Sequence, residues 1–220
     1  MALLPDKITL KRTTVSTSVC YTKHVYEYAD SGDILAPGGP THSGTPELLC
    51  CCVPRCGFDL DFGSDAGLGV EGRPACCCMC EEYGITAGAK SAKKAQLLLP
   101  SFCTRLFDCL AMCGSKLVLR VREDGSSEDK WHIRTLPECC ASHVMQSYII
   151  CKPGSTVALG TIILANRLCC CATALGAVCN IGIDFPSGDD PCSVASKHAI
   201  LSAAMVIDRY SYAPISFSCG

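Results

Sequence analysis

The longest stretch of sustained apolar character in the chain is residues 156–179, TVALGTIILANRLCCCATALGAVC. Pro153-Gly154 breaks the chain just before it, and the hydroxyl of Thr156 can cap a helix that starts there. Seven of its positions lie three or four residues apart, as on one face of an α-helix: Val157, Thr161, Leu164, Leu168, Cys171, Leu175 and Val178. The pattern predicts a buried helix at the centre of the fold.

The same stretch is long enough to cross a bilayer, which takes roughly 20 apolar residues. However, Asn166-Arg167 lies near its middle, and a central Arg costs about 2.5–3.5 kcal/mol on insertion. The sequence shows no Lys/Arg cluster beside the stretch that would mark a cytoplasmic flank. We therefore expect a core helix and no membrane span.

The part of the chain before about residue 100 has the pattern of strands. Residues 6–30 interleave β-branched and aromatic side chains with Thr, Ser and Lys, which predicts two antiparallel strands joined by a turn near residues 12–14. Residues 63–74 are glycine-rich and predict a loop. Short runs bounded by turn residues or charges predict further strands at residues 48–53, 58–62 and 95–99.

The part of the chain after residue 100 contains both helix-like and strand-like hydrophobic patterns. Residues 116–122 and 130–136 flank Asp124-Gly125 and predict a β-hairpin. Asp190 as N-cap with Pro191 behind it predicts a helix over residues 193–207. The remaining predictions are helices at residues 102–113 and 138–150, and strands at residues 180–185 and 211–218.

Together these elements predict a single α+β domain over residues 1–220, with a soft boundary near residues 100–115. Its sheet is mostly antiparallel and its N-terminal half is β-rich. Two helices of the C-terminal half, at residues 156–179 and 191–207, are expected to pack against the sheet.

Composition narrows the function classes. Basic and acidic residues number 19 and 21, so the formal net charge is −2, and charged residues make up only 18% of the chain. This balance implies no broad attraction to nucleic acid, and the one compact basic patch, Lys90, Lys93 and Lys94, is too small to bind it strongly alone. A sparsely charged surface favours association with copies of the same chain.

Cysteine is unusually abundant, with 21 residues in the chain. Three features argue against a secreted disulfide scaffold. The first twelve residues place their apolar segment before their charges, unlike a signal peptide; the cysteine count is odd; and adjacent cysteines, as in Cys50–Cys52, cannot pair with one another. We expect most thiols to be reduced and to act as small core side chains in a cytoplasmic protein or an assembled particle, with a disulfide network as the alternative.

Two constellations could carry chemistry. Cys52, Cys56, Cys77 and Cys80 have spacings that could supply four thiolates to zinc, although the chain holds a single CxxC. Cys139 and His143 lie at helical spacing and are the least arbitrary Cys–His pair for a nucleophile and its base. Buried, inert thiols and a partly buried helix histidine explain the same residues, so our prediction is no catalytic residue, no metal and no cofactor.

Three function classes follow. The first is a non-enzymatic structural subunit, coat-like or filament-like, whose partners are copies of itself, because the chain combines low charge with many small residues and shows no GxSxG or phosphate-loop motif. The second is a thiolate metal-binding or redox protein. The third is a cysteine-dependent hydrolase or transferase with an unrecognised site. The sequence favours the first.

Overall fold

The computed structural model of the chain describes residues 4–18, 21–28, 47–48, 54–55, 59–61, 68–73, 81–87, 93–99, 118–135, 145–165, 178–188 and 191–212. Within these ranges the chain forms strands and one helix. The strands are β1 Lys7–Ser18, β2 Tyr21–Tyr28, β3 Glu47–Leu48, β4 Pro54–Arg55, β5 Asp59–Asp61, β6 Leu68–Arg73, β7 Glu81–Ala87, β8 Lys93–Leu99, β9 Val118–Glu123, β10 Trp131–Thr135, β11 Met145–Cys151, β12 Gly160–Ala165 and β13 Val178–Asp184.

Eleven of the described strands form one antiparallel sheet in the order β2-β1-β13-β12-β11-β10-β9-β8-β7-β6-β5, while β3 and β4 pair separately. Neighbours in the sheet are mostly neighbours in sequence, and β1 closes the C-terminal meander by pairing with β13. Ile8 lies opposite Ile183, which lies opposite Ile162, so one face of the sheet carries rows of apolar side chains. The prediction of a mostly antiparallel sheet is confirmed.

Helix α1 spans Val194–Tyr212 and confirms the helix predicted at residues 193–207. Its N-cap is Ser193, because the Ser193 hydroxyl oxygen accepts a hydrogen bond from the Ser196 amide at 3.1 Å. The predicted cap at Asp190 is therefore wrong: Pro191 and Cys192 precede the helix, and a hydroxyl nearer its first turn satisfies the free amide. The helix also runs through Ser211 and Tyr212, where a strand was predicted.

Helix α1 contacts strands from both parts of the sheet order. The helix packs against β7, β8 and β9, which lie toward one end of the strand order, and also against β13 near the other end. From His198 to Asp208 every side chain of the helix is buried, so α1 has no solvent face over three turns. A helix that is apolar on all sides belongs in a core rather than on a surface. The inner face of the sheet and this helix together form the hydrophobic core.

A buried ion pair joins the helix to the first two strands. Arg12 of β1 and Asp208 of α1 are 1% and 0% exposed, with Arg12 Nε 3.5 Å from Asp208 Oδ2. The hydroxyl of Tyr26, on β2, donates to the same carboxylate oxygen at 3.1 Å. Removing one partner of such a pair leaves a charge in a low-dielectric interior, which is far less favourable than losing a surface pair. The contact therefore fixes where the C-terminal part of α1 sits against the β1–β2 edge.

The predicted helix at residues 156–179 is wrong, because residues 160–165 form β12 and residues 178–179 begin β13. Three of the four residues Thr161-Ile162-Ile163-Leu164 are β-branched, and such side chains favour strands. Burial alternates along β12, with Gly160, Ile162 and Leu164 facing inward. Of the helical stripe, Thr161 and Leu164 lie in β12, and only Leu164 faces inward, so the observed alternation is that of a strand. Residues 166–177 lie outside the described ranges.

Other predictions have mixed outcomes. The hairpin at residues 116–136 is confirmed by β9 and β10, and the strands at residues 95–99 and 180–185 by β8 and β13. The helix predicted at residues 138–150 is wrong at residues 145–150, which belong to β11. The loop predicted at residues 63–74 is wrong at residues 68–73, which form β6. The two N-terminal strands are confirmed, but β1 continues to Ser18 without a turn near Arg12. The predicted helix at residues 102–113 and the soft boundary lie outside the described residues.

Gly160 sits at a close approach between two segments. A Cβ added there would lie 2.5 Å from the Asp184 carbonyl oxygen and 3.0 Å from the Pro186 ring, whereas a Cβ on Gly182 would meet nothing within 4 Å. Both glycines lie in neighbouring strands of the same sheet. The absence of a side chain at residue 160 therefore lets the start of β12 pack against the chain that leaves β13.

Asp208→Asn tests the buried pair. We expect it to lower the free energy of unfolding by about 3–5 kcal/mol, because the Arg12 guanidinium stays buried without its carboxylate, and Tyr26→Phe to lower it by about 1 kcal/mol. Asp184→Asn is the control: its pair with Lys7 has side chains 49% and 79% exposed and should contribute at most about 1 kcal/mol. Urea unfolding measures all three, and equal effects of Asp208→Asn and Asp184→Asn would contradict this assignment.

Gly160→Ala tests the close approach. Moving the Asp184 backbone away from a new methyl group should destabilise the protein by about 1–3 kcal/mol. Gly182→Ala, with open space around the same methyl group, should leave stability unchanged or raise it slightly. Thermal unfolding of the two variants side by side gives the comparison, and a Gly160→Ala protein as stable as Gly182→Ala would show that the approach is not a constraint.

Candidate functional site

Most residues that sequence reasoning singled out lie outside the described part of the chain. This holds for both members of the Cys139/His143 pair, for the proposed thiolate set Cys52, Cys56, Cys77 and Cys80, and for Lys90. Lys93 and Lys94 begin β8, so the structure gives their backbone position. Among the described residues, no group of three or more His, Cys, Asp and Glu side chains is placed to hold a metal ion.

Two thiols are described, and neither is activated. Cys151, at the end of β11, and Cys192, before α1, are both free and buried. Burial raises the pKa of the Cys151 thiol, and the Cys151 Sγ–H donates to the carbonyl oxygen of His132 at 3.5 Å. Burial raises the pKa of Cys192 to about 11. Only the thiolate is a good nucleophile, so neither thiol is suited to covalent catalysis at neutral pH.

A cluster of charged side chains lies on the outer face of the β9–β10 hairpin. We call Arg120, Arg122, Asp129, His132 and Arg134 the hairpin cluster. Arg122 Nε donates to Asp129 Oδ1 at 2.7 Å, and Arg120 Nη1 lies 4.0 Å from Asp129 Oδ2. His132 Nε2 lies 3.1 Å from the same Oδ2, and Arg134 Nη2 lies 3.5 Å from His132 Nδ1. One carboxylate thus organises two guanidinium groups and an imidazole.

The strand register explains this arrangement. Leu119 and Val121 face the core, which turns Arg120 and Arg122 outward, and on β10 the inward Trp131 and Ile133 turn His132 and Arg134 outward. Arg120 and His132 are direct cross-strand partners. The same alternation is visible in KLVLRVR and KWHIRTL. Sequence analysis used those runs to predict the hairpin but overlooked that their polar positions converge on one face.

Electrostatics keep Asp129 ionised. Burial pushes the pKa of Asp129 upward, but hydrogen bonds from Arg122 and His132 and the charges of Arg122 and Arg120 outweigh it, and the net effect holds the pKa below its ordinary value of 3.8. At neutral pH the residue is therefore a carboxylate. Asp129 Oδ2 lies 3.1 Å from His132 Nε2, and the other ring nitrogen of His132 faces Arg134.

A second feature lies on the same outer face, around the β11–β12 loop. A groove of about 280 Å³ is lined by Asp6, Lys7, Leu159, Thr161 and Asp184, among others. Beside it, three large apolar side chains are exposed, and we call them the apolar patch: Val157 at 65%, Leu159 at 38% and Ile163 at 38%. Among the residues whose burial the structure describes, these are the large apolar side chains that face solvent.

The loop that carries the patch has a defined conformation. Gly154 has φ of +77°, a left-handed conformation that favours glycine, and the Ser155 amide donates to the Lys152 carbonyl at 3.0 Å. The Val157 amide donates to the Ser155 hydroxyl oxygen at 3.0 Å, and the Leu159 amide to the Ile150 carbonyl at 2.8 Å. These contacts hold Val157 and Leu159 outward.

The low pKa of Asp129 determines how the free energy of unfolding should change as the pH falls. A carboxyl group with a depressed folded-state pKa stabilises the protein above its ordinary pKa of 3.8, and this contribution disappears as the pH falls through the folded-state value. We therefore expect Asp129→Asn to be less stable than the native chain at pH 6, with the difference shrinking steadily below pH 3.8. Urea unfolding across this range measures it.

Asp124→Asn is the control, since Asp124 is exposed in the same hairpin turn, and it should stay within about 0.5 kcal/mol of the native chain at pH 6. A difference between Asp129→Asn and native protein that does not change with pH would contradict the assignment.

No similarity to a known protein suggests a function, so the functional proposal rests on these surfaces. No protein-family model, no curated protein and no solved structure matches the chain. No helix in the described part of the chain is long and apolar enough to cross a membrane.

Proposed function

We propose that the protein is a non-enzymatic structural subunit that associates with copies of itself through the apolar patch. The observation that carries this proposal is the exposure of Val157, Leu159 and Ile163 in one short segment of the chain, with Leu159 lining a groove. Exposed apolar side chains scattered singly are ordinary, whereas a group of them on one surface marks an interaction site.

The order of the patch supports this role. Hydrogen bonds and the left-handed Gly154 fix the loop before any partner binds, so less conformational entropy is lost on association. The end of the loop is also fixed, because Gly160, the first residue of β12, lies in close approach to the Asp184 carbonyl oxygen. A pre-ordered apolar surface on a closed core is suited to repeated packing against identical surfaces.

The choice of partner rests on the charge of the chain. Its net charge of −2 and its low content of charged residues provide little long-range repulsion between two copies. A contact between two identical patches is isologous, since each copy offers the same residues to the other, and by itself it gives a closed dimer; a coat or filament would add a second, heterologous contact between such dimers. Such a subunit fits a coat-like or filament-like protein.

The enzymatic and metal-binding alternatives have less support. Cys151 and Cys192 both have raised thiol pKa values, so these two thiols do not favour a cysteine nucleophile. A thiolate zinc site at Cys52, Cys56, Cys77 and Cys80 and a catalytic Cys139/His143 pair stay predictions, because those residues lie outside the described ranges.

The proposal is tested by the doubly substituted chain Val157→Ser/Leu159→Ser. We expect the native chain to form particles larger than the 23.3 kDa monomer, and the substitution to weaken association at least about tenfold, since burying each apolar side chain contributes roughly 1.5–3 kcal/mol. Light scattering after size exclusion, over a concentration series, measures the mass.

Val157→Ile/Leu159→Met is the matched control, because it changes the same two positions and keeps them apolar; it should associate like the native chain. Both positions are exposed, so circular dichroism should show all three proteins equally folded. A native chain that stays monomeric at every concentration, or equal weakening by the polar and apolar pairs, would overturn the proposal.

A further inference from the structure

The groove beside the apolar patch carries one adjacent pair of opposite charges. Lys7 of β1 and Asp184 of β13 are cross-strand partners, and Lys7 Nζ lies 3.2 Å from Asp184 Oδ2. Both residues line the groove, and their side chains are 79% and 49% exposed, which places them at its rim. The other carboxylate of the lining, Asp6, is already paired with Lys197 at 2.8 Å. A molecule that covers the groove therefore meets a cation and an anion side by side.

The wall of the groove is apolar and continuous with the apolar patch. Ala158 and Leu159 line it from the β11–β12 loop, and Phe185 lines it from the chain that follows β13. Val157, the most exposed large apolar side chain of the described residues, directly precedes Ala158. At about 280 Å³ the groove is larger than the roughly 150 Å³ cavity that holds a benzene molecule, so it has room for a valine side chain.

A projecting apolar side chain next to an apolar groove fits a second copy of the same surface. Across a two-fold axis each copy can place its Val157 at the groove of the other, so both grooves are filled by one contact. Apolar contacts are not directional, however, and they alone do not fix how the two copies are oriented.

The charges at the rim can fix that orientation. Each copy offers the same adjacent Lys7 and Asp184, so a second copy brings either like or opposite charges against them. Like charges that face each other oppose association, whereas opposite charges favour it and determine the register of the contact. When each Lys7 faces the Asp184 of the other copy, the four charges alternate in sign.

From these observations we infer that two copies associate with Val157 of each at the groove of the other, and that Lys7 and Asp184 select this orientation by pairing across the two-fold axis. The inference rests on the proposed function, because it requires association through the apolar patch. It adds the residues that make the contact specific for a second copy in one orientation.

The test exchanges the two charges of the full-length chain. Lys7→Asp places two carboxylates at the rim and Asp184→Lys places two ammonium groups there, so each variant repels a copy of itself. A mixture of these two variants restores opposite charges across the axis, and so does the doubly substituted chain Lys7→Asp/Asp184→Lys. Lys130→Asp is the matched control, because it makes the same charge change at an exposed position of the β9–β10 hairpin. Light scattering after size exclusion, at matched concentration and ionic strength, measures association.

We expect each single variant to associate roughly tenfold more weakly than the native chain, because like charges replace attractive pairs. The mixture and the doubly substituted chain should recover most of that loss, and Lys130→Asp should associate like the native chain. Lys7→Gln/Asp184→Asn, which has neither charge, should associate more weakly than the native chain. Circular dichroism should show every variant folded, since both rim positions are largely exposed.

The outcomes separate the inference from the proposed function. If the native chain associates but the mixture stays as weak as its two components, or if Lys7→Gln/Asp184→Asn associates more tightly than the native chain, the inference is wrong and the proposed function stands. A native chain that is monomeric at every concentration overturns both.

Discussion

The structure depends on burying one helix on every side. From His198 to Asp208 the side chains of α1 are all buried, so the helix cannot lie on a flat sheet with one face in water. Strands from both parts of the sheet order contact the helix, as β7–β9 and β13 do. Several polar groups that enter this core are paired: Asp208 with Arg12 and Tyr26, and the His198 ring Nδ1–H with the Val194 carbonyl oxygen at 2.7 Å. Burial lowers the pKa of His198, which keeps the ring neutral in that position.

This constraint places functional chemistry on the outside. Because the inner face of the sheet packs on α1, alternate residues of β9, β10 and β12 are directed outward, where they form the hairpin cluster and part of the apolar patch. Both features lie near the end of the sheet at which α1 begins, and there Glu123 of β9 accepts hydrogen bonds from the hydroxyls of Ser193 and Ser196. These bonds, Ser196 first, hold the pKa of Glu123 below its ordinary value. One end of the molecule therefore joins a rigid helix start to two surfaces of different chemistry, one apolar and one charged.

The sequence predicted the parts of the fold that local patterns determine. The β9–β10 hairpin, the strand at residues 180–184 and the final helix all have strong local signals, and each is observed. The stretch 160–165 was assigned to a helix because Thr161 and Leu164 lie on a helical stripe; only Leu164 also faces inward in the strand, and pairing with β11 and β13 favours the strand. The hairpin cluster could have been found from the alternation of Arg120 and Arg122 with core residues. Its geometry could not, because it requires the cross-strand register and the position of Asp129 in the turn.

Burial of α1 on all sides is the central claim, and native-state hydrogen exchange of its backbone amides tests it most directly. Amides from Ile200 to Asp208 should exchange only through global unfolding, so their opening free energy should equal that measured by urea, while the exposed turn around Gly125 should exchange many orders of magnitude faster. Exchange of the helix amides through a low-energy local opening, well before the strands β9 to β13 exchange, would show that the helix lies on the surface of the sheet and would contradict the account.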